Sequence, residues 1–464
     1  MPFHLLSFTS MKKVKACQKL KTKAVSMTVV NPNAAGIDIG DTIHAVAVPA
    51  DRVPLPVRVF GTMSCDLAQI ADWLQECRID TVAMESTGVY WKPLFSLLIR
   101  RGIDVYLVNA HHVRNVTGRK TDIGDAAWIQ QLHSYGLLTS SYLPSERQES
   151  LRTFVRLRQT LMQDSSRCVL RMEKAMEVMN LKLHTVIADI TGVTGRAIVE
   201  AIIAGERQAK NFLPFVNNRI KASAEVIEKS LQGQWRDDQL FALAQSYQCY
   251  CFFQTEIGKL DQKIEEELEQ YAASMNQGEV PLATSEMRKK KNKNAPAIPV
   301  CHLLKAILGT DVLEIYGLSE LSALSILAET GTDMSKWRTE KHFISWLNLC
   351  PNNKVSGGKL LSSKVRKKSN SAGQAFRMAA NGVQRSDHWL GDYFRRMKSK
   401  GGNRYAIVAT ASKLATIYYK MVSGKVAFTP IDQTKYQKKR IAAKIAYMEK
   451  KLVELKNKTV EFIE

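Results

Sequence analysis

The chain has no apolar run near the roughly 20 residues that a bilayer-spanning helix needs, which excludes such a helix. It also lacks any Cys-x-x-Cys pair. Its eight cysteines, at positions 17, 65, 77, 168, 249, 251, 301 and 350, are scattered. The nearest two, Cys249 and Cys251, have no histidine at metal-ligand spacing, which excludes a zinc module. Reduced thiols in a cytoplasmic protein are the expectation. No segment recurs at a fixed period, so a solenoid or propeller is excluded. Carboxylates are scarce relative to cations: 44 Asp and Glu face 66 Lys and Arg, a formal charge of +22 over 464 residues. That excess holds and steers polyanions, with nucleic acid ahead of an anionic membrane surface. No helix pairs a basic face with exposed aromatic anchors, so no membrane partner is expected.

The N-terminus, MPFHLLSFTSMKKVKACQKLK, places a short apolar patch before its lysines, the reverse of a secretory signal. Residues 1–30 read as a poorly ordered extension, with Met27 as an alternative start. Residues 31–144 read as an α/β domain of order β-β-β-α-β-α-β-α, the order of the ribonuclease H-like fold. Residues 145–275 read as long helices. Val169, Met172, Met176, Met179 and Leu183 alternate steps of three and four, which predicts a buried seam with no chemistry of its own. A basic linker over 276–296, a mostly helical domain over 297–422 and a lysine-rich helical tail over 423–464 complete the chain. GLSELSALSILAETG joins a glycine turn to a helix and reads either as a helix-hairpin-helix element or as an ordinary helical hairpin.

Four acids stand out by placement. Asp38 lies inside the apolar strand GIDIG, and Glu85 ends the strand TVAME. Asp122 and Asp125 open the helix after RKTDIGD, three apart and therefore on one face. An acid in an apolar strand must be paired or bind a cation, and converging carboxylates suit magnesium. Two such ions could stabilise the attacking and leaving oxygens of a phosphodiester. The competing reading of Asp122 and Asp125 is helix capping.

These residues sit in longer motifs: GIDIGDTIHAVAV, AMESTGVYWKPLFSLL and VNAHHVRNVTGRKTDIGDAAWIQQLHSYGLL, then WLNLCPNNKVSGGKLLSSK and SNSAGQAFRMAA. In that order, over roughly residues 34–422, the chain resembles the IS-one-ten family of insertion-sequence transposases, which includes the Piv-type DNA invertases. The resemblance implies a RuvC-like, DEDD catalytic domain, a helical coiled-coil region and a C-terminal, serine-bearing transposase domain. It implies a magnesium-binding tetrad of Asp38, Glu85, Asp122 and Asp125, holding one or two Mg2+ ions. It further implies a nucleophilic Ser356 in PNNKVSGG that forms a transient 5′-phosphoserine with DNA. Partners implied in the same way are DNA, a structured non-coding bridge RNA that selects donor and target, and further copies of the chain in a homo-dimer or homo-tetramer.

Read from its own surroundings, Ser356 before Gly357 and Gly358 marks a turn. Lys354, Lys359 and Lys364 around it are candidate phosphate contacts, as are Arg119, Lys120, Arg366, Lys367 and Lys368. The bland reading of each is a solvated face or a pairing with neighbouring acids. His111 and His112 read as structural or RNA-contacting, and Tyr90 and Trp91 as packing beneath the site rather than base-stacking. Two further functions fit the residues: a metal-only nuclease or Holliday-junction resolvase, and a nucleic-acid-binding protein without catalysis.

Overall fold

The computed structural model describes residues 28–86, 88–108, 122–275, 294–366 and 370–461. The chain divides into two compact units, Met1–Leu143 and Pro144–Glu464. Residues 1–27 of the extension expected over 1–30, His111 and His112, and most of the linker, 276–293, lie outside the described residues.

The first unit is built on a five-stranded sheet. Its strands are β1 (Ala34–Ile39), β2 (His44–Ala47), β3 (Val57–Phe60), β4 (Thr81–Glu85) and β5 (Asp104–Val108). Helices α1 (Ser64–Glu76), α2 (Trp91–Arg100) and α3 (Asp122–Ser134) complete the expected order. In space the strands run β3-β2-β1-β4-β5. The first three form an antiparallel meander, and β4 and β5 run parallel to β1.

Period-two alternation assigns a different job to each face. In AVAV the valines and alanines part company. Val46 and Val48 join Ile37, Val82 and Met84 in the main core, which Ile70, Leu74, Leu94 and Leu98 of α1 and α2 fill. Ala45, Ala47 and Ala83 face the other way, against Ala126 and Ile129 of α3. Small side chains on that face let α3 approach the sheet closely. At Gly36 the approach is limiting: a Cβ there would lie 2.2 Å from the Gln130 nitrogen and 2.4 Å from the Ala126 oxygen.

In the second unit, α4 (Glu146–Val178), α5 (Leu183–Val186), α6 (Val193–Ile203), α7 (Ala224–Ser230) and α8 (Asp237–Met275) form a long arm. Helices α4 and α8 run antiparallel. Arg147 Nη1 donates to the Gln270 carbonyl (3.0 Å), Arg158 pairs with Asp261, and Gln254 Nε2 donates to Ser165 Oγ (2.9 Å). The methionine seam is core, as its spacing predicts: Met172, Met176 and Met179 are buried among Ile198, Ile202 and Phe212 at the tip of the arm.

The rest of the unit comprises α9 (Val300–Leu308), α10 (Glu320–Thr330), α11 (Glu340–Trp346), α12 (Ser371–Gly382), α13 (Trp389–Gly424, broken at Gly402) and α14 (Gln433–Glu461). The glycine turn before α10 packs within the unit. A Cβ at Gly317 would meet the Ala379 carbonyl oxygen of α12 at 2.5 Å, which favours the ordinary helical hairpin. Among the described residues of this unit one element is not helical: β6 (Lys354–Ser356) and β7 (Lys359–Ser362) form a hairpin. The described cysteines are all free.

Candidate active site

The four acids belong to three elements: Asp38 to β1, Glu85 to β4, and Asp122 and Asp125 to α3. Along the β1–β4 ladder Ala34 stands beside Thr81 and Ile37 beside Met84. The next step brings Asp38 and Glu85 side by side at the carboxyl ends of adjacent parallel strands. By parity with Gly36 and Ala83, both belong to the face that α3 covers. Both are half-buried and both are engaged in interactions.

Helix α3 runs antiparallel to β1. Its last turn is tied to the start of the sheet: Gln130 Nε2 donates to the Ala34 carbonyl (3.2 Å), and Asn31 Nδ2 donates to the His133 carbonyl (2.8 Å). Thr81 Oγ1 and His133 Nε2 share a hydrogen bond of 2.9 Å. Midway along, Ala126 lies on Gly36. From there Asp122 is one helical turn back, about 6 Å of rise. Asp38 is two strand residues on, about 6.7 Å in the same direction. The opening turn of α3 therefore reaches the same end of the sheet as Asp38 and Glu85. Asp125 is half-buried in that turn, while the Asp122 side chain lies outside the described residues. Among the described residues no group of three or more His, Cys, Asp or Glu side chains stands close enough to hold a metal. The backbone thus brings the acidic segments to one edge without a finished cage among those residues.

His133 anchors this arrangement from the opposite end of α3. It is buried against Tyr106, with ring centroids 4.8 Å apart, and burial holds its imidazole down at about 4. A neutral ring suits its bond to Thr81. Sequence reasoning did not single out His133 or Gly36. The alternation of small residues in β1 and β2 carried the signal for a close helix. Trp91 packs against the main core and Phe95, in line with a packing role, and Tyr90 is exposed.

Ser356 lies in the second unit. It ends β6 and pairs with Lys359 across Gly357 and Gly358, whose φ values are +53° and +73°. Positive φ at both central residues of a two-residue loop is the geometry glycine adopts most readily. Ser356, Lys354, Lys359, Lys364 and Arg366 are all exposed, and no acid lies between Glu340 and Asp387. Arg377, in the same basic stretch, is committed elsewhere: its Nη2 donates to the Asn348 carbonyl (2.7 Å). Asn348, at φ +55°, leads the chain toward the hairpin. Arg119, Lys120, Lys367 and Lys368 lie outside the described residues.

Two family models match the chain. A transposase model of the DEDD, IS110 type covers residues 35–180, a span that includes Asp38, Glu85, Asp122 and Asp125. A second, described as "Transposase IS116/IS110/IS902 family", covers residues 310–395, which include Ser356. No curated protein matches. No described helix is long and apolar enough to cross a membrane. With two successive models matched in order on both units, the chain belongs to the IS110 family of transposases, enzymes of DNA transposition and recombination.

Proposed function

We propose that this transposase cuts and rejoins DNA with a magnesium-binding tetrad, Asp38, Glu85, Asp122 and Asp125, and a serine nucleophile, Ser356. The observation that carries the reading is the register that sets Asp38 beside Glu85 on the face covered by α3, at the end where α3 begins. The sheet order β3-β2-β1-β4-β5, with a three-stranded meander and two parallel strands, supports a ribonuclease H-like, RuvC-like domain. The donor set is all oxygen, which fits Mg2+ rather than a soft metal.

Bound magnesium, as one or two ions, supplies Lewis acidity to the scissile phosphate and stabilises charge on the attacking and leaving oxygens. The chain's own residues do the rest. The carboxylates fix the cation at the strand ends. Lys354, Lys359, Lys364 and Arg366 hold phosphate oxygens along the hairpin, with Arg119, Lys120, Lys367 and Lys368 assigned to the same task. Ser356 Oγ attacks phosphorus as the bond to the 3′ oxygen breaks. The 3′ end leaves as a hydroxyl, the serine proton passes to solvent, and a 5′-phosphoserine remains. Its phosphodiester energy is conserved, so a second 3′-hydroxyl can reverse the step without ATP. Exposure of Ser356 on a glycine turn, free of covering side chains, supports access by a polymer substrate.

The charge of +22 suits a structured RNA guide as well as DNA, and the long antiparallel arm suits assembly as a homo-dimer or homo-tetramer in the cytoplasm. A metal-only nuclease or junction resolvase is the alternative. Ser356→Ala distinguishes the two. Loss of both cleavage and the trapped protein–DNA adduct is expected, whereas cleavage at the normal rate would make the serine a turn residue only.

A further inference from the structure

The last helix has a face that nothing else in its unit explains. Helix α14, Gln433–Glu461, meets the rest of its unit at its start: Gln433 Nε2 donates to Asp392 (2.6 Å), and Tyr436 lies against the Trp389 ring. Every described side chain from Gln437 to Leu455 is exposed. Yet the exposed positions are not uniformly polar. Ile441, Ile445, Met448, Leu452 and Leu455 follow one another at steps of four, three, four and three. The first four are 59%, 52%, 58% and 55% exposed. That spacing is the a/d seam of a coiled coil, with Ile445 and Leu452 at a and Ile441, Met448 and Leu455 at d. A helix of this length draws most of its stability from packing an apolar face.

We propose that α14 pairs in parallel and in register with α14 of a second copy of this chain. Charge chooses the orientation. In a parallel pair the g position Lys444 faces the e position Glu449 of the partner subunit, twice by symmetry. In an antiparallel pair g meets g, setting Lys444 and Lys451 against one another. The seam lies beyond both family-matched segments. The proposal stands apart from the tetrad and serine assignments.

The experiment uses the full-length chain under mild oxidation. In a parallel pair the two copies of a d residue are adjacent, whereas two copies of an f residue point away from each other. Met448→Cys is therefore expected to give a disulfide-linked dimer well above the wild-type background, and Lys450→Cys is not. Adding Ile445→Glu and Leu452→Glu to Met448→Cys is expected to return the dimer to background. Equal cross-linking at 448 and 450, none at either, or cross-linking at 448 that survives the two glutamates would overturn the proposal.

Discussion

Replacing Gly36 by alanine adds a single methyl group, and the structure specifies what it meets. The new Cβ would lie 2.2 Å from the Gln130 nitrogen and 2.4 Å from the Ala126 oxygen. Both are main-chain atoms of α3, so no side chain can swing aside. Ordinary contact begins near 3.4 Å, and α3 must therefore withdraw by about 1 Å. Overpacking of this kind costs about 1–3 kcal/mol, or roughly 2–4 °C in Tm per kcal/mol for a domain of this size. The same shift carries the first turn of α3, with Asp122 and Asp125, away from Asp38 and Glu85. A displacement of about 1 Å in a catalytic group reduces rate on the order of 10²-fold. The paired assays are urea unfolding and cleavage of DNA by the purified protein. Gly258→Ala is the control: the same change in an exposed turn of α8, with nothing within 4 Å, is expected to stabilise by about 1 kcal/mol. A Gly36→Ala protein with wild-type stability and wild-type cleavage would refute the packing of α3 on β1 and the site built from it.

Three other expectations follow from particular side chains. His133 titrates near 6.5 when unfolded and about 4 when folded, so the unfolded state binds the extra proton between those values. Stability is therefore full above about pH 6.5 and falls by up to roughly 3 kcal/mol as pH drops toward 4. His133→Gln, measured by urea midpoints across that range, should flatten the slope. In the arm, Arg158 and Asp261 form a buried ion pair, Arg158 also donating to the Asn294 carbonyl and Asp261 accepting from the Ala297 amide. Arg158→Met should cost about 3–5 kcal/mol by leaving a buried carboxylate uncompensated, while the double variant with Asp261→Leu should recover much of that loss in thermal unfolding. Ser356→Ala, at an exposed turn, should leave stability within about 0.5 kcal/mol of wild type, so any loss of cleavage reads out chemistry rather than folding.

The strands and helices of the first unit were legible because alternation and helical spacing report burial directly. Asp38 and Glu85 were legible because an acid in an apolar strand is conspicuous. The sequence did not reveal that Asp38 and Glu85 would fall side by side on adjacent strands, since register depends on pairings far apart in the chain. The close seat of α3 on Gly36 was equally hidden, because one glycine in GIDIG looks like any other until its neighbour is known. The Gly357–Gly358 turn was readable, but the two short strands flanking it were not: KVS and KLLS are too brief to show a period. Basic residues were the least decipherable. Arg377 and Lys359 look alike in sequence, yet one is spent on the Asn348 carbonyl and the other is exposed.

The central claim is that the acids at the end of β1, the end of β4 and the start of α3 hold a divalent cation together. The most direct measurement is Mn2+ binding, by electron paramagnetic resonance, to the wild-type protein and to Asp38→Asn, Glu85→Gln, Asp122→Asn and Asp125→Asn. The account predicts bound Mn2+ in the wild type, displaced by excess Mg2+, and a loss of affinity in each of the four variants. Wild-type affinity retained in variants drawn from all three elements would contradict it.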